Sequence, residues 1–491
     1  MPRRIRPRLP STARTLGPAL AGTTLLLSAG AEAHGFGRLY TLPVPFWLYA
    51  WGAAATLIVS FFITAWLVAK PTPSEAPRES EIADAPWLAT LRRAVPALRI
   101  VSVLLLALCL ATGWLGVRDP YRNFSMTFFW IWVVLGLTYL TVFVGDVYAA
   151  LNPFRVIVDA IARVAPGFVR GRTDYPRWSG YWPALALYYA FIAFELFGHS
   201  HPGSLATALF LYTLITLAGT WLVGAQSWFT YGEFFSVFFR LVALAAPLEG
   251  RAGTLRARPM FSALARERPK DLSEVSFLLF MLSSTAYDGL RATQPWVMSF
   301  WNNAWLRERL GRAPIYAYAQ LRGWYSALEH IVLALSPFIY LGAYFLALSL
   351  AKMLTRSERP RRELALDFAY TLLPIALVYN VTHYFTLLLS QGPKITALIS
   401  DPFGWGWNLF GTAVSGAPFL PELGWVWHLQ VGLILLGHVV SVVLAHRVAL
   451  RVFPSRRDAT LSQAPMLALM VVFTVFGLWI LVQPLQSVIS M

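Results

Sequence analysis

The sequence predicts an all-α protein, a polytopic transmembrane helix bundle of about ten helices after a cleaved signal peptide. Three observations carry that prediction. Apolar stretches of about 20 residues recur along the chain, the length that crosses a hydrocarbon core. Of the 491 residues only 13% are charged against 57% hydrophobic, and the mean hydropathy is +0.56. A soluble domain carries about twice that charged fraction. The arginines gather in alternate loops, as the positive-inside rule requires. The net charge of +16 therefore reads as topology, and nucleic acid is excluded as a partner. The single cysteine, Cys109, lies in an apolar stretch, which rules out an intrachain disulfide and any CxxC motif.

The chain opens as a secretory signal over residues 1–33. Arg3, Arg4, Arg6, Arg8 and Arg14 precede a short apolar run, and Ala31-Glu32-Ala33 is an A-x-A cleavage site. Cleavage would leave His34 as an extracytoplasmic N-terminus, whose amino group and imidazole could chelate copper. The mature chain, 34–491, holds ten apolar spans at about 45–69, 98–117, 125–146, 181–198, 205–226, 274–290, 328–353, 365–390, 426–448 and 464–485. Alternation puts 70–97, 147–180, 227–273, 354–364 and 449–463 inside, and each is rich in arginine. The sixth span is the weakest, being short and holding Asp288.

Between the spans, 71–97 reads as a cytoplasmic linker and 147–180 and 227–273 as inner-face amphipathic segments. These two share a weak echo: Gly145-Asp146 leads to Asn152-Pro153-Phe154-Arg155, and Gly232-Glu233 to Phe238-Phe239-Arg240. The segment 291–327 mixes arginine with four tryptophans and reads as an interfacial amphipathic helix. The outer loop 391–425 alternates small and aromatic residues around Asp401-Pro402-Phe403-Gly404-Trp405-Gly406-Trp407. It suits a surface loop or a lid.

Six of the eight histidines fall by this topology on the outer side: His34, His199, His201, His330, His383 and His428. Glu195 and His199 are i and i+4, and His201 follows before Pro202. His383 lies in the polar run Tyr379-Asn380-Val381-Thr382-His383-Tyr384 inside the eighth span, where polar groups face a bundle interior or a wet cavity. Three chemistries fit. A divalent metal held by Glu195, His199, His201, His330 and His383 could activate water, with Glu329 or Asp401 as base. Two histidines among His330, His383 and His438 could ligate haem b, or the same histidines copper. Buried polar groups such as Asp146, Asp367 and Asn380 would suit a transporter. The sequence has no CxxCH, Walker A, GxSxG or strand-placed GxGxxG motif.

The start His34-Gly35-Phe36-Gly37 with Leu42-Pro43-Val44-Pro45-Phe46-Trp47-Leu48 resembles a bacterial polytopic membrane-protein family named fenitrothion hydrolase. So do Ser400–Trp407 with Leu409-Phe410-Gly411-Thr412, Gly437-His438 through Ala445-His446, and Pro465–Met470. The likeness runs from end to end of the mature chain. It implies hydrolysis of an organophosphorus triester with release of a nitrophenol, in a bacterial inner membrane, on an apolar small-molecule substrate, with room for a second subunit. It brings no catalytic residue with it.

Overall fold

Each of the ten predicted spans is helical in the computed structural model, which describes residues 44–67, 80–81, 86–198, 201–251, 254–419 and 421–486. They are α1 Phe46–Leu67, α2 Pro86–Leu115, α3 Phe124–Val144, α4 Trp182–Phe197, α5 Pro202–Val223, α6 Leu272–Arg291, α7 Tyr318–Thr355, α8 Leu373–Gln391, α9 Leu423–Val452 and α10 Arg456–Gln486. Among the described residues, eight helices are long and apolar enough to cross a membrane. The chain is an all-α, multi-pass membrane protein. The expected signal peptide, His34, His199 and residues 71–79 and 82–85 of the linker 71–97 lie outside the described residues.

The two remaining spans have separate physical reasons for their weakness. Helix α4 is short, at 16 residues. Helix α6 is polar, carrying Ser273, Glu274, Ser276, Ser283, Ser284, Thr285 and Asp288. It can afford them because protein surrounds it: Ser273 to Thr285 are buried without a break, and α4, α7, α8 and α10 pack on it. A helix that meets side chains instead of lipid need not be apolar all round.

Around α6 the bundle has two groups. Helices α1, α9 and α10 pack on one another, with α7 on α10. On the other side α2 packs on α5 and on the short helix Pro153–Val164. Helix α8 bridges them, touching α6, α9 and the π-helical stretch Thr127–Gly136 inside α3. Aromatic rings fill the join. Tyr188 lies 5.1 Å from Phe277, 5.0 Å from Phe280 and 5.6 Å from Phe234, centroid to centroid.

Trp228 is clamped between two glycines. A Cβ on Gly219 would come within 2.3 Å of its ring, and one on Gly232 within 2.5 Å. A ring held on both faces cannot retreat, so Gly219→Ala should cost about 1–3 kcal/mol. Thermal unfolding of the solubilised variant checks this.

At the arginine-rich end, Arg359 reaches Asp367 at 2.6 Å and Arg268 reaches Glu363 at 2.9 Å. The echoed segments both start helices there. Asn152 caps Pro153–Val164, Glu233 caps Phe234–Ala243, and Asn152 donates to Glu233 at 3.3 Å. A small antiparallel sheet also forms there, with Thr254–Ala257 paired to both Ser80–Glu81 and Leu248–Arg251. The sequence reading did not anticipate it. The linker region also turns helical earlier than expected, since α2 begins at Pro86.

The expected single interfacial helix over 291–327 is instead three pieces: Gln294–Trp301, Ala304–Leu310 and the 3₁₀ turn Pro314–Ala317. Asn303 caps the second piece, and Gly311 ends it at φ +64°.

Candidate functional site

Four side chains from three helices meet near the end of the bundle opposite the arginine-rich loops. His383 Nε2 lies 2.7 Å from Asp288 Oδ2. The Tyr384 hydroxyl lies 3.2 Å from that same Asp288 oxygen and 3.2 Å from Glu195 Oε1. Glu195 comes from α4, Asp288 from α6, and His383 and Tyr384 from α8. The His383 and Asp288 side chains are each 13% exposed. Helix α6 fills the seam, so Asp288 projects between α4 and α8.

A carboxylate only accepts, so the His383–Asp288 contact places a hydrogen on Nε2. A neutral ring in that contact is the tautomer of an imidazole base oriented by a carboxylate. One hydroxyl hydrogen serves one acceptor at a time, so Tyr384 can bond both acids together only when one of them carries a proton and donates it to the tyrosine oxygen. Scarce hydration within a bundle strengthens each of these contacts.

One turn farther along α6, Arg291 Nε sits 3.3 Å from Glu329 Oε1, and its guanidinium lies 5.0 Å above the Phe197 ring. Tyr287 donates to the Glu329 carbonyl at 3.1 Å. The expected base Glu329 is therefore half of an ion pair. Its neighbour His330 lies 4.3 Å from the same Phe197, ring to ring.

The five residues expected to hold a metal are spread out. Glu195 and His383 share the network above. His330 Nδ1 donates to the Ser326 carbonyl at 2.7 Å, and His201 Nδ1 lies 2.9 Å from Ser204 Oγ in a capping box at the start of α5. His199 lies outside the described residues. Among the described residues no three His, Cys, Asp or Glu groups converge as a metal-holding set.

For haem, His383 and His438 do line one cavity between α6, α7, α8, α9 and α10. His383 Nε2 is held by Asp288, however, and the space is only about 60 Å³. The residues do not fit a macrocycle between them.

Asp401, the other expected base, caps the aromatic loop. It accepts from the amides of Trp405 at 2.9 Å and Gly406 at 2.7 Å. The loop packs on the α2–α3 connection: Val117 donates to Phe403 at 2.9 Å and Phe124 to Pro402 at 3.1 Å. Gly404, at φ +71°, has no room for a Cβ beside Val117. Asp401→Ala should speed amide exchange at Trp405 and Gly406 about tenfold, since each loses its acceptor. Hydrogen–deuterium exchange of that loop reads it directly.

Sequence reasoning missed Asp288 as the partner of His383, although an acid inside a span is itself a signal of function. It also passed over Tyr384. Comparison with protein-family models, with curated proteins and with solved structures finds no match to this chain.

Proposed function

We propose that the protein is a membrane-embedded hydrolase of apolar esters, organophosphorus triesters such as fenitrothion among them. The observation that carries this reading is the oriented His383–Asp288 pair with Tyr384 and Glu195 beside it. His383 Nδ1 takes a proton from water, and the hydroxide oxygen bonds to phosphorus. The bond from phosphorus to the aryl oxygen breaks, and the nitrophenolate leaves with its electron pair. The proton that His383 took from water passes to the departing oxygen, which leaves Nε2–H on Asp288 as at the start, and Tyr384, backed by Glu195, hydrogen-bonds that oxygen as it leaves. Triester and water become diester acid and phenol. A general base of this kind contributes about 10²–10⁴-fold. Triesters of this type partition into lipid, so a site within the bundle meets them where they concentrate.

One observation favours a second reading, proton-coupled transport: the four groups join three helices across the seam between two helix groups. A single experiment separates the two. Membranes carrying the protein are incubated with fenitrothion in ¹⁸O-water. The hydrolase reading expects protein-dependent nitrophenol and one ¹⁸O on the phosphorus product. Accumulation of unchanged compound in vesicles, without nitrophenol, would favour transport and sink the hydrolase.

A further inference from the structure

At the arginine-rich end, the chain after Pro153–Val164 is fastened to the last turn of α5. The amides of Arg172 and Thr173 donate to the Leu222 carbonyl at 2.8 and 2.9 Å, and the amide of Ala225 donates to the Val169 carbonyl at 3.0 Å. Gly171 permits this approach. Its φ is +82°, and a Cβ there would lie 2.6 Å from the Gly224 nitrogen. The segment is a ledge fixed at the level where α5 ends.

Positive charge collects on that ledge. Arg163, Arg170, Arg172 and Arg177 are all exposed, and the stretch 163–178 holds one acid, Asp174. Among the described residues none of these four arginines is in an ion pair. Elsewhere at this end Arg99, Arg258, Arg268 and Arg359 each have a carboxylate partner.

An apolar strip leads to the same place. Phe210, Leu211, Leu214, Ile215, Trp221 and Leu222 are exposed along α5 at helical spacing, one side of the helix. In a multi-pass membrane protein such a face meets acyl chains. The strip ends under the ledge, where the Arg172 guanidinium lies 5.1 Å above the Trp221 ring. Tryptophan favours the headgroup level, and its ring holds a cation there. A guanidinium free of carboxylates at the head of an apolar strip matches a phosphate carried on acyl chains, because its fork donates to two phosphate oxygens at once. A choline-headed lipid would bring a second cation to a ledge that is already positive. A lipid whose only charge is its phosphate would not.

We propose that Arg170 and Arg172 form a docking site for an anionic glycerophospholipid, its phosphate on the guanidinium groups and its acyl chains along the exposed face of α5. Helix α5 supplies none of the four residues of the His383 network, so the site stands whether or not the hydrolase reading holds.

The test is native mass spectrometry of the full-length protein in detergent with equal amounts of dioleoyl phosphatidylglycerol and dioleoyl phosphatidylcholine. The first lipid retained should be the glycerol lipid by about twentyfold, near fivefold for each of two arginines at the headgroup level. Arg170→Gln with Arg172→Gln should bring the ratio close to one. Arg361→Gln with Arg362→Gln removes two exposed arginines from the same end and should leave the ratio unchanged. Raising the ionic strength should erase most of the wild-type preference, since the charges are exposed. No preference in the wild type, a preference that survives Arg170→Gln with Arg172→Gln, or an equal loss in the Arg361 and Arg362 variant would each overturn the proposal. So would a preference indifferent to salt. Millimolar inorganic phosphate that abolishes the preference at constant ionic strength would make the ledge a site for the free anion and would overturn it too. If the Arg170 and Arg172 variant fails to fold, the wild-type ratio and its loss with salt still decide.

Discussion

Asp288→Asn should lower turnover of an aryl phosphotriester about 10²–10⁴-fold while leaving KM within a few-fold. The carboxylate lies 2.7 Å from His383 Nε2 and fixes which ring nitrogen holds the lone pair. An amide at the same place can present its NH₂ to the ring, which reverses the tautomer and puts hydrogen where the base must be. Substrate binding would not feel that change, because the shape of the side chain is kept. Turnover would. Tyr384→Phe should be milder, about tenfold, because it removes a proton donor and leaves the base in place. The check is steady-state kinetics on equal amounts of solubilised protein. Asp288→Asn with normal turnover would show that Asp288 merely satisfies a buried histidine.

The second large effect is on stability. Glu233→Leu should destabilise the protein by about 3–5 kcal/mol. Glu233 is fully buried and serves as the cap of Phe234–Ala243. It accepts from Tyr212, from Tyr148 at 3.4 Å, from Asn152 at 3.3 Å and from the Ser236 amide at 2.8 Å. Leucine of similar size strands all four donors, at about 1–3 kcal/mol each before relaxation. The losses share one network and do not add in full. Glu233→Gln keeps an acceptor oxygen and should lose less than half as much. Denaturant unfolding of the three proteins in one detergent reads the order. A Leu variant as stable as wild type would mean these contacts hold nothing together.

Much of the fold was legible because lipid imposes a plain rule. Segments facing hydrocarbon must be apolar and helical, and the eight described helices long and apolar enough to cross a membrane follow from that rule. Helix α6 read weakly for the same reason. Protein surrounds it, so its serines and Asp288 broke the pattern that lipid would have enforced. The sheet at Thr254–Ala257 was not legible, since it lies in the loops where that rule does not act. The break at Asn303 and Gly311 was passed over, because the spread of tryptophans and arginines suggested one amphipathic helix.

The candidate site was half legible. His383 stood out as a polar residue inside a span. Its partner is 95 residues away on another helix, and no periodicity links them. The other histidines misled by number. His330, His428 and His438 each spend Nδ1 on the carbonyl four residues back. A helix can absorb a histidine in this way without any ligand. Clustering by side of the membrane was therefore a weaker guide than Asp288 in α6.

The most direct test of the central claim is a double-mutant cycle on His383 and Asp288. Turnover would be measured for wild type, His383→Gln, Asp288→Asn and the double variant, each at matched folded protein. If the two residues work as one unit, the double variant should be no slower than the slower single, since the first change already disables the pair. Rate losses that multiply, or singles that turn over like wild type, would contradict it and leave the four-residue network as packing.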